Sequence, residues 1–204
     1  MKQRKKRIGL TQRVEYIEEI LERRNALSQE WEHFAKECGF LPIILPNEKD
    51  LALEIVENLQ LEGLIFTGGN DLVAYGGNAK ERDDTEKVLL QYALQKEIPL
   101  LGVCRGMELI LHYFLVPLRE VEGHIRVEHE LKSGNFVNSY HSLAGMKEDA
   151  KKEFLIQEVC KKDDVVEQIQ HKKYKNIYGM MWHPERYHPF RKQDIEFISQ
   201  IFSL

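Results

Sequence analysis

The sequence predicts a three-layer α/β protein, in which a mainly parallel central sheet with an antiparallel extension lies between two layers of helices. Two observations support this prediction. Up to about residue 115, short apolar runs alternate with segments whose apolar residues recur at helical spacing, a pattern typical of βαβ units and a parallel sheet. After that point, polar pairs such as Asp163–Asp164 and Lys172–Lys173 separate short strand-like segments, as turns do between antiparallel strands.

The order of these segments along the chain defines the predicted elements. In the first half we expect strands at residues 7–11, 40–45, 61–67 and 98–103, and helices at 25–38, 50–59, 84–96 and from 105 onward. Gly39 should end the first helix, and Asp50 should cap the second. In the second half we expect strands at 124–131, 154–161, 165–171 and 176–182, followed by a helix at 193–202.

The composition restricts the class of protein and its partners. At 204 residues the chain is long enough for one domain over residues 1–204, with residues 1–6 as a frayed basic N-terminus. The net charge of −4 argues against a surface that binds nucleic acid. Cys38, Cys104 and Cys160 are too few and too widely spaced for a disulfide framework, and no apolar run approaches the length of a membrane span. We therefore expect a cytoplasmic protein that contacts neither membrane nor nucleic acid.

The chain is organised around residues 98–114, IPLLGVCRGMELILHYF. If these residues form a strand, a turn and a helix, Gly102-Val-Cys-Arg-Gly106 has the form of a nucleophile elbow with cysteine in place of serine. Small residues are required beside such a sharp turn, and Cys104 would lie at a helix N-terminus that favours its thiolate form. The motif alone fits a buried core cysteine equally well.

A second polar motif, Trp182-His-Pro-Glu185, follows the last predicted strand. Pro184 cannot donate a hydrogen bond within a sheet, so the strand should end there and present His183 and Glu185 at the same edge as Cys104. A carboxylate beside an imidazole can fix its tautomer and stabilise the imidazolium. We therefore predict a catalytic triad with Cys104 as nucleophile, His183 as general acid and base, and Glu185 as the group that orients His183.

Acyl chemistry at a thiolate also needs hydrogen-bond donors for the oxyanion of the tetrahedral intermediate. The backbone N–H of Arg105, directly after the nucleophile, is the predicted first donor. Gly68 and Gly69 follow the strand at 61–67, and the backbone N–H of Gly69 is the predicted second donor, because glycine allows close approach of a substrate. An ordinary turn after the strand is the alternative for this glycine pair.

Together, these segments resemble the class I glutamine amidotransferases, in particular their γ-glutamyl hydrolase-like branch (peptidase C26). The resemblance is carried by IGLTQR, FTGGNDL, RDDTE at 82–86, GVCRGMELI, NSYH at 138–141 and GMMWHPER. It implies a flavodoxin-like fold and a hydrolase that forms a γ-glutamyl thioester on Cys104 and releases L-glutamate without a cofactor. The segments NALSQEW and FLPIILPN are most similar to the members that act on γ-glutamyl-CDP-amidate during capsular polysaccharide modification.

Three alternatives to this substrate and function stay open. The first is hydrolysis of another small γ-glutamyl substrate, such as γ-glutamyl-GABA. The second is a glutaminase subunit that delivers ammonia to a separate synthase, which would make that synthase a transient partner. The third is a binding protein on the same scaffold that no longer catalyses. A homodimer is compatible with each of them.

One residue departs from the family pattern, which has glutamine four residues after the nucleophile. This chain has Glu108 at that position. Four residues are about one helical turn, so this side chain should return to the elbow and contact the substrate. A carboxylate there would repel the α-carboxylate of a γ-glutamyl group or accept from its α-ammonium group, and it would disfavour the thiolate.

The resemblance also implies a set of substrate contacts outside the triad. These residues are Gly68, Asn70, Asn138, Ser139, Tyr140 and His141. The alternative for Asn138 and Ser139 is a polar turn in which both side chains bond to local backbone, and the alternative for Asn70 is a turn cap.

The eight histidines do not show the spacing of zinc ligands. His124 and His129 are five residues apart in a predicted strand, which should place them on opposite faces, and Pro184 separates His183 from His188. We therefore expect no metal site. The lysines at 172, 173 and 175 are expected to form a solvated hairpin tip, with contact to a substrate phosphate as the alternative.

Overall fold

The computed structural model describes residues 4–203. The first half of the chain forms, in order, β1 (Arg7–Leu10), β2 (Arg13–Ile17), β3 (Glu22–Ala26), α1 (Glu30–Cys38), β4 (Leu41–Ile44), α2 (Lys49–Asn58), β5 (Gly63–Phe66), α3 (Lys80–Lys96), β6 (Leu100–Val103) and α4 (Arg105–Tyr113). The second half forms β7 (Leu118–Glu120), β8 (Ile125–Glu130), β9 (Phe136–Tyr140), β10 (Leu143–Gly145), α5 (Lys147–Ala150), β11 (Phe154–Val159), β12 (Val166–His171), β13 (Ile177–Met180) and α6 (Lys192–Phe202). Of the predicted frayed N-terminus, residues 1–3 lie outside the described residues, whereas Lys6 donates to the carbonyl of Phe202 at 2.9 Å.

Seven strands form the central sheet in the order β11-β12-β13-β6-β5-β1-β4. The five strands from β13 to β4 pair in parallel, and β11 and β12 add antiparallel pairs at one edge. The predicted mainly parallel sheet with an antiparallel extension is therefore confirmed. All residues of β5 and β6 are buried, as expected for central strands that are covered on both faces.

The two faces of this sheet are covered by different helices. Alternate residues of β5 point to opposite sides: Leu64 packs in an apolar cluster with residues of α2, α3 and α4, whereas Ile65 packs with residues of α1 and α6. The sheet is therefore the middle of three layers, and the connecting loops meet at the ends of its strands.

The first helix is shorter than predicted. Residues 22–26 pair with β2 as β3 and α1 begins at Glu30, so the prediction of a helix from residue 25 is wrong at its start. The β3 segment, ERRNA, lacks the apolar alternation that marks a strand in a sequence. The end of α1 is as predicted, since Gly39 has a φ of 87° and donates to the carbonyl of Ala35 at 3.0 Å.

The next two helices begin earlier than predicted. Lys49 is the first residue of α2, and the carboxylate of Glu48 accepts from the backbone of Asp50, so Asp50 is not the cap. The helical spacing of the apolar residues predicts that Leu51 and Leu59 face inward, but both side chains are exposed. The start of α3 at Lys80 rather than residue 84 places the charged residues of RDDTE within the helix, which matters for the site described below.

Three two-stranded sheets lie outside the central sheet, namely β2–β3, β7–β10 and β8–β9. The predicted strand at 124–131 is present as β8, but it pairs with β9 rather than with the central sheet, so its assignment to the antiparallel extension is wrong. The β8–β9 hairpin has its own partner because residues 136–140 follow after a short turn. No sequence pattern had marked them as a strand.

The topology also decides between the two interpretations of the lysine-rich turn. β13 runs parallel to β6, so the turn before β13 lies at the amino ends of these strands and the Cys104 turn after β6 lies at their carboxyl ends. The alternative in which Lys172, Lys173 and Lys175 contact a substrate phosphate is therefore wrong.

Among residues 4–203, no helix combines the length and the apolar character that crossing a membrane requires.

Candidate active site

The turn between β6 and α4 has the geometry of an elbow. Cys104 adopts φ 52° and ψ −112°, a conformation that costs a residue with a side chain about 1–3 kcal/mol. The turn is closely packed, because a β-carbon on Gly106 would lie 2.2 Å from the carbonyl oxygen of Phe66, and one on Gly102 would lie 2.5 Å from the backbone of Gly106. Strand, turn and helix thus hold the Cys104 side chain at the carboxyl edge of the sheet, where it is almost fully buried.

His183 and Glu185 form a buried pair next to this elbow. Met180 of β13 pairs with Val103 of β6, so the segment after β13 begins beside Cys104. His183 precedes a short 3₁₀ helix, Pro184–Arg186, rather than an extended segment, and this turn brings the Glu185 carboxylate to 2.7 Å from Nδ1 of His183. With Nδ1 engaged, Nε2 of His183 is left for the reaction.

The electrostatics of this pair favour the imidazolium form. Burial alone would lower the pKa of His183, but the negative charge of Glu185 and the charge and hydrogen bond of Cys104 raise that pKa to about 10. At neutral pH, His183 therefore carries a proton that it can donate.

Gly68 separates the end of β5 from both side chains. A β-carbon at Gly68 would lie 2.6 Å from Cε1 of His183 and 3.5 Å from Cβ of Cys104. Such a distance to an imidazole carbon is shorter than a van der Waals contact, so the imidazole occupies the space that any side chain at position 68 would need. Three strand ends of the sheet, those of β5, β6 and β13, thus meet at one point.

A buried charge network holds the loop after β5 in place. Arg82 donates to Glu86 at 3.0 Å and to the backbone carbonyls of Thr67, Gly68 and Gly69. Arg105 donates to Glu86 and to Asp83, the carboxylate that also accepts from the backbone of Val73. Two arginines and two carboxylates balance in charge.

The guanidinium groups of this network keep their charge in spite of their burial. Burial lowers the pKa of Arg82 and of Arg105 to about 9 each, against the opposing effect of nearby carboxylates. Both side chains are therefore cationic at neutral pH, and Arg82 holds the carbonyl groups of residues 67–69 on its side of the loop.

The β8–β9 hairpin contacts His183 from the other side. The amide of Asn138 donates to the carbonyl of His183 at 2.9 Å and accepts from the N–H of His183 at 2.8 Å. The ring of Tyr140 stands edge-on to the imidazole at a centroid distance of 5.5 Å. The guanidinium group of Arg186 lies 4.2 Å above the Tyr140 ring.

A cleft of about 240 Å³ opens at Cys104. Its lining residues are Gly69, Asn70, Asp71, Cys104, Arg105, Glu108, Tyr140, His141 and Ser142. A space of this size accommodates a small polar group, with the cysteine at one end.

The comparisons with known proteins agree with this geometry. The family model of the class I glutamine amidotransferases matches residues 20–201. The chain belongs to the class I glutamine amidotransferases. It is 36% identical to the γ-glutamyl-CDP-amidate hydrolase of Campylobacter jejuni, over 97% of this chain and 98% of that protein. It is 28% identical to one subunit of the glutamine-hydrolyzing GMP synthase of Methanococcus aeolicus, over 71% of this chain and 75% of that protein.

A solved structure supports the fold. A glutamine amidotransferase from Thermotoga maritima superimposes with a TM-score of 0.64 at 15% identity, covering 98% of this chain and 85% of that chain. The predicted family and the predicted three-layer fold are therefore both confirmed.

Glu108 is the point at which this glutamine amidotransferase differs from the pattern implied by resemblance. Its side chain is buried, lies one turn after Cys104 in α4 and lines the cleft. Burial raises its pKa to about 8, with a further increase from the negative charge of Asp71, while Arg105, Arg82 and His183 oppose the rise. At neutral pH the side chain is thus mainly a neutral carboxylic acid, so the predicted repulsion of a substrate carboxylate does not arise.

Two of the predicted substrate contacts have other partners. Asn70 borders the cleft, but its amide accepts from the N–H of Val14 and donates to the carbonyl of Val14, both at 2.8 Å. The hydroxyl of Ser139 is fully buried and donates to the carbonyl of His124 at 2.7 Å. Ser139 does not line the cleft, so the structure contradicts its predicted contact with substrate. The polar-turn alternative is wrong as well, because Asn138 and Ser139 lie in β9 and their side chains bond to the distant carbonyls of His183 and His124.

The prediction of the site was incomplete. Asp71 lines the cleft, and the sequence offers it either as a substrate contact or as a turn cap. Ser142 also lines the cleft and did not stand out in the sequence. The network of Arg82, Asp83 and Glu86 was noticed only as part of the family resemblance, with no role attached. The signal that could have revealed its role is the cluster of alternating charge within one helix, α3.

A second cleft of about 240 Å³ adjoins the first at Tyr140. Its other lining residues are Arg126, Val127, Glu128, Asn138, Arg186 and Tyr187. Two guanidinium groups thus lie on the side of Tyr140 away from Glu108, a suitable place for an anionic part of a ligand.

Proposed function

We propose that this enzyme hydrolyses the γ-glutamyl C–N bond of γ-glutamyl-CDP-amidate and releases L-glutamate and CDP-amidate. The observation that carries the choice of substrate is the 36% identity, over nearly the whole of both chains, to the Campylobacter jejuni enzyme of that name. The chemistry is that of a Cys104–His183–Glu185 triad, supported by the 2.7 Å contact between His183 and Glu185 beside the elbow.

In the first half-reaction, the thiolate of Cys104 attacks the γ-carbonyl carbon of the substrate. The C–N bond breaks as the imidazolium of His183 donates its proton to the leaving nitrogen, which leaves as the neutral phosphoramidate nitrogen of CDP-amidate. A γ-glutamyl thioester then stays on Cys104. The raised pKa of His183 supports this role as the acid.

In the second half-reaction, water attacks the thioester. His183, now neutral, takes a proton from that water, and the C–S bond breaks to give glutamate and the thiolate. Glu185 stabilises the imidazolium that forms again and keeps Nδ1 protonated.

Two backbone N–H groups serve as donors to the oxyanion, those of Arg105 and Gly69. Arg105 is the first residue of α4, where N–H groups have no partner within the helix. The carbonyl of Gly68 accepts from Arg82 at 3.2 Å. Because carbonyl and N–H point in opposite directions across a trans peptide, the N–H of Gly69 points away from Arg82.

The two clefts divide the substrate between them. The glutamyl group lies in the cleft of Glu108, whose neutral carboxylic acid can donate to the α-carboxylate as a glutamine amide would. The CDP-amidate portion extends past Tyr140, where Arg126 and Arg186 offer paired N–H donors to the diphosphate oxygens.

The deciding experiment incubates the enzyme with γ-glutamyl-CDP-amidate and follows the reaction by phosphorus NMR and by a glutamate assay. We expect equimolar CDP-amidate and glutamate with the unmodified enzyme and none with Cys104→Ala. Cleavage of γ-glutamyl-GABA without cleavage of the nucleotide would overturn the substrate but keep the hydrolase.

A glutaminase subunit is the second candidate, favoured by the 28% identity to the GMP synthase subunit of Methanococcus aeolicus. That function predicts negligible turnover of both γ-glutamyl substrates and hydrolysis of glutamine that rises strongly when a synthase is added. We also propose that the protein is cytoplasmic and that its chain forms one domain. The cytoplasmic location is supported by the three free cysteines among residues 4–203.

A further inference from the structure

A cluster of three histidines and a glutamate lies between the β8–β9 hairpin and β12. We call His124, His129, His141 and Glu167 the histidine cluster. Oε1 of Glu167 is 3.1 Å from Nε2 of His129, 3.7 Å from Nε2 of His141 and 3.9 Å from Nδ1 of His124. Glu167, His124 and His141 are buried, and only about a tenth of the His129 side chain is exposed.

The expectation that His124 and His129 point to opposite faces is wrong, and a β-bulge is the reason. The register of β8 against β9 shifts between Ile125 and Val127, and Arg126 between them has a φ of 55°. One extra residue in a strand reverses the alternation beyond it, so His124 and His129 come to the same side, with ring centroids 4.7 Å apart.

The other two members reach the cluster through ordinary strand geometry. His141 lies across from His124 and donates its backbone N–H to the carbonyl of His124 at 3.1 Å. Glu167 belongs to β12, whose backbone also accepts from Met181 just before the triad histidine. The hairpin and the central sheet therefore each contribute ligands to one point.

Several polar atoms of these four residues have no hydrogen-bond partner among the described residues. They are Nδ1 of His124, both ring nitrogens of His129, Nε2 of His141 and both carboxylate oxygens of Glu167. A buried polar atom left without a partner is destabilising. Nδ1 of His124, Nε2 of His141 and one carboxylate oxygen of Glu167 lie close enough to one another to share a ligand.

The outward nitrogens of two of these histidines, in contrast, are engaged. Nε2 of His124 lies 2.9 Å from Oδ2 of Asp163, and Nδ1 of His141 lies 3.0 Å from the carbonyl of Leu143. A carboxylate or carbonyl that accepts from the far nitrogen is the arrangement found behind metal-binding histidines, because it fixes the tautomer that leaves the near nitrogen unprotonated.

We propose that His124, His141 and Glu167 bind one divalent transition-metal ion of the zinc type. One ligand atom from each of these three residues lies within 4.8 Å of the other two, and Oε1 of Glu167 is 3.7 Å from Nε2 of His141 and 3.9 Å from Nδ1 of His124. Zinc bonds of about 2.0–2.2 Å in a tetrahedron place the ligand atoms roughly 3.3–3.6 Å apart, so a small contraction of these distances accommodates the ion. The ion's two positive charges are balanced by Glu167 and Asp163. The three protein ligands leave the fourth position of the tetrahedron to a water molecule.

The ion ties the β8–β9 hairpin to the central sheet. The same hairpin carries Asn138, which holds the backbone of His183 through two hydrogen bonds. Binding of the metal therefore stabilises the support of the triad.

The first test measures metal in the full-length protein. After purification without chelators and gel filtration, mass spectrometry should find about one zinc per chain in the unmodified protein. His141→Gln and Glu167→Gln should reduce this content to background. The control His188→Gln, which changes an exposed histidine, should retain the zinc.

A second measurement does not depend on the folding of a variant. Cobalt chloride added to the metal-free, unmodified protein should produce the visible absorption of tetrahedral Co²⁺, and zinc chloride should displace it. Asp163→Asn should weaken zinc binding about 10- to 100-fold, the usual effect of removing a carboxylate behind a ligand histidine. The proposal is overturned if the unmodified protein holds an adventitious ion only, that is, if its zinc content falls to background on gel filtration and cobalt gives the octahedral spectrum of the free ion.

Discussion

Replacement of Glu108 by glutamine tests whether a protonated carboxylic acid replaces the amide of the family. With a pKa of about 8, Glu108 is about 90% protonated at pH 7 and about 10% protonated at pH 9. If only the neutral form of Glu108 donates a hydrogen bond to the α-carboxylate of the substrate, the KM of the unmodified enzyme rises about tenfold between these two pH values. The sign follows from the raised pKa, because the binding form is present below pH 8 and is lost above it.

Glu108→Gln carries a neutral amide at every pH. We therefore expect its KM to equal that of the unmodified enzyme within about threefold at pH 7 and to stay flat up to pH 9, so that the variant binds about tenfold better at pH 9. The assay is glutamate release from γ-glutamyl-CDP-amidate, measured between pH 6 and pH 9.5. Glu54→Gln, a change of an exposed carboxylate on α2, is the matched control and should show the unmodified profile.

Asp71→Asn gives an independent check on the same reasoning. Asp71 raises the pKa of Glu108 through its negative charge, so its removal should move the rise in KM to lower pH. An alkaline rise in KM that is identical in Glu108→Gln and in the unmodified enzyme would refute the assignment of that rise to Glu108.

Three further predictions follow from the contacts of the site. Gly68→Ala places a β-carbon 2.6 Å from Cε1 of His183, so kcat/KM should fall at least about 100-fold, as it does when a catalytic group is displaced by 1 Å, with the circular dichroism spectrum unchanged. Glu86→Gln removes the buried carboxylate that Arg82 and Arg105 share and leaves two guanidinium groups with the single carboxylate of Asp83, so it should destabilise the fold by about 3–5 kcal/mol in urea unfolding, whereas Glu81→Gln, which breaks an exposed pair, should cost less than about 1 kcal/mol. Arg126→Ala should raise the KM for γ-glutamyl-CDP-amidate and leave that for γ-glutamyl-GABA unchanged, and equal effects on both would contradict the placement of the nucleotide.

The parallel half of the fold could be predicted because its strands are buried on both faces. Three apolar residues and one glycine form each of the two strands, GLIF in β5 and LLGV in β6. With Thr67-Gly68-Gly69 after the first strand and the elbow after the second, few other interpretations of the sequence are left. The hairpin β2–β3 could not be predicted in this way, because β3 consists of ERRNA and buries none of its residues. β3 is held by its backbone pairing with β2, and backbone hydrogen bonds leave no pattern in the sequence.

The candidate site was predictable at the residues that we propose to react and much less so at those that position them. Cys104 and the segment at 183–185 carry unusual local signals, a glycine-flanked turn and a proline after a strand. Arg82 gave no such signal, because a charged residue in a helix is usually solvated. Its burial beneath three backbone carbonyls depends on the start of α3 at Lys80, four residues before the predicted start.

The β8–β9 hairpin shows why a functional segment can mislead a prediction that treats it as one loop. The segment at 138–141 was interpreted as a single set of substrate contacts. In a strand, alternate residues face opposite sides. Here Asn138 and Tyr140 of β9 contact His183, while Ser139 of β9 and His141, directly after it, contact residues of the histidine cluster. Because these residues share one hairpin, an ion bound by the histidine cluster would also restrict the movement of Asn138 and Tyr140. It would thereby fix the orientation of His183.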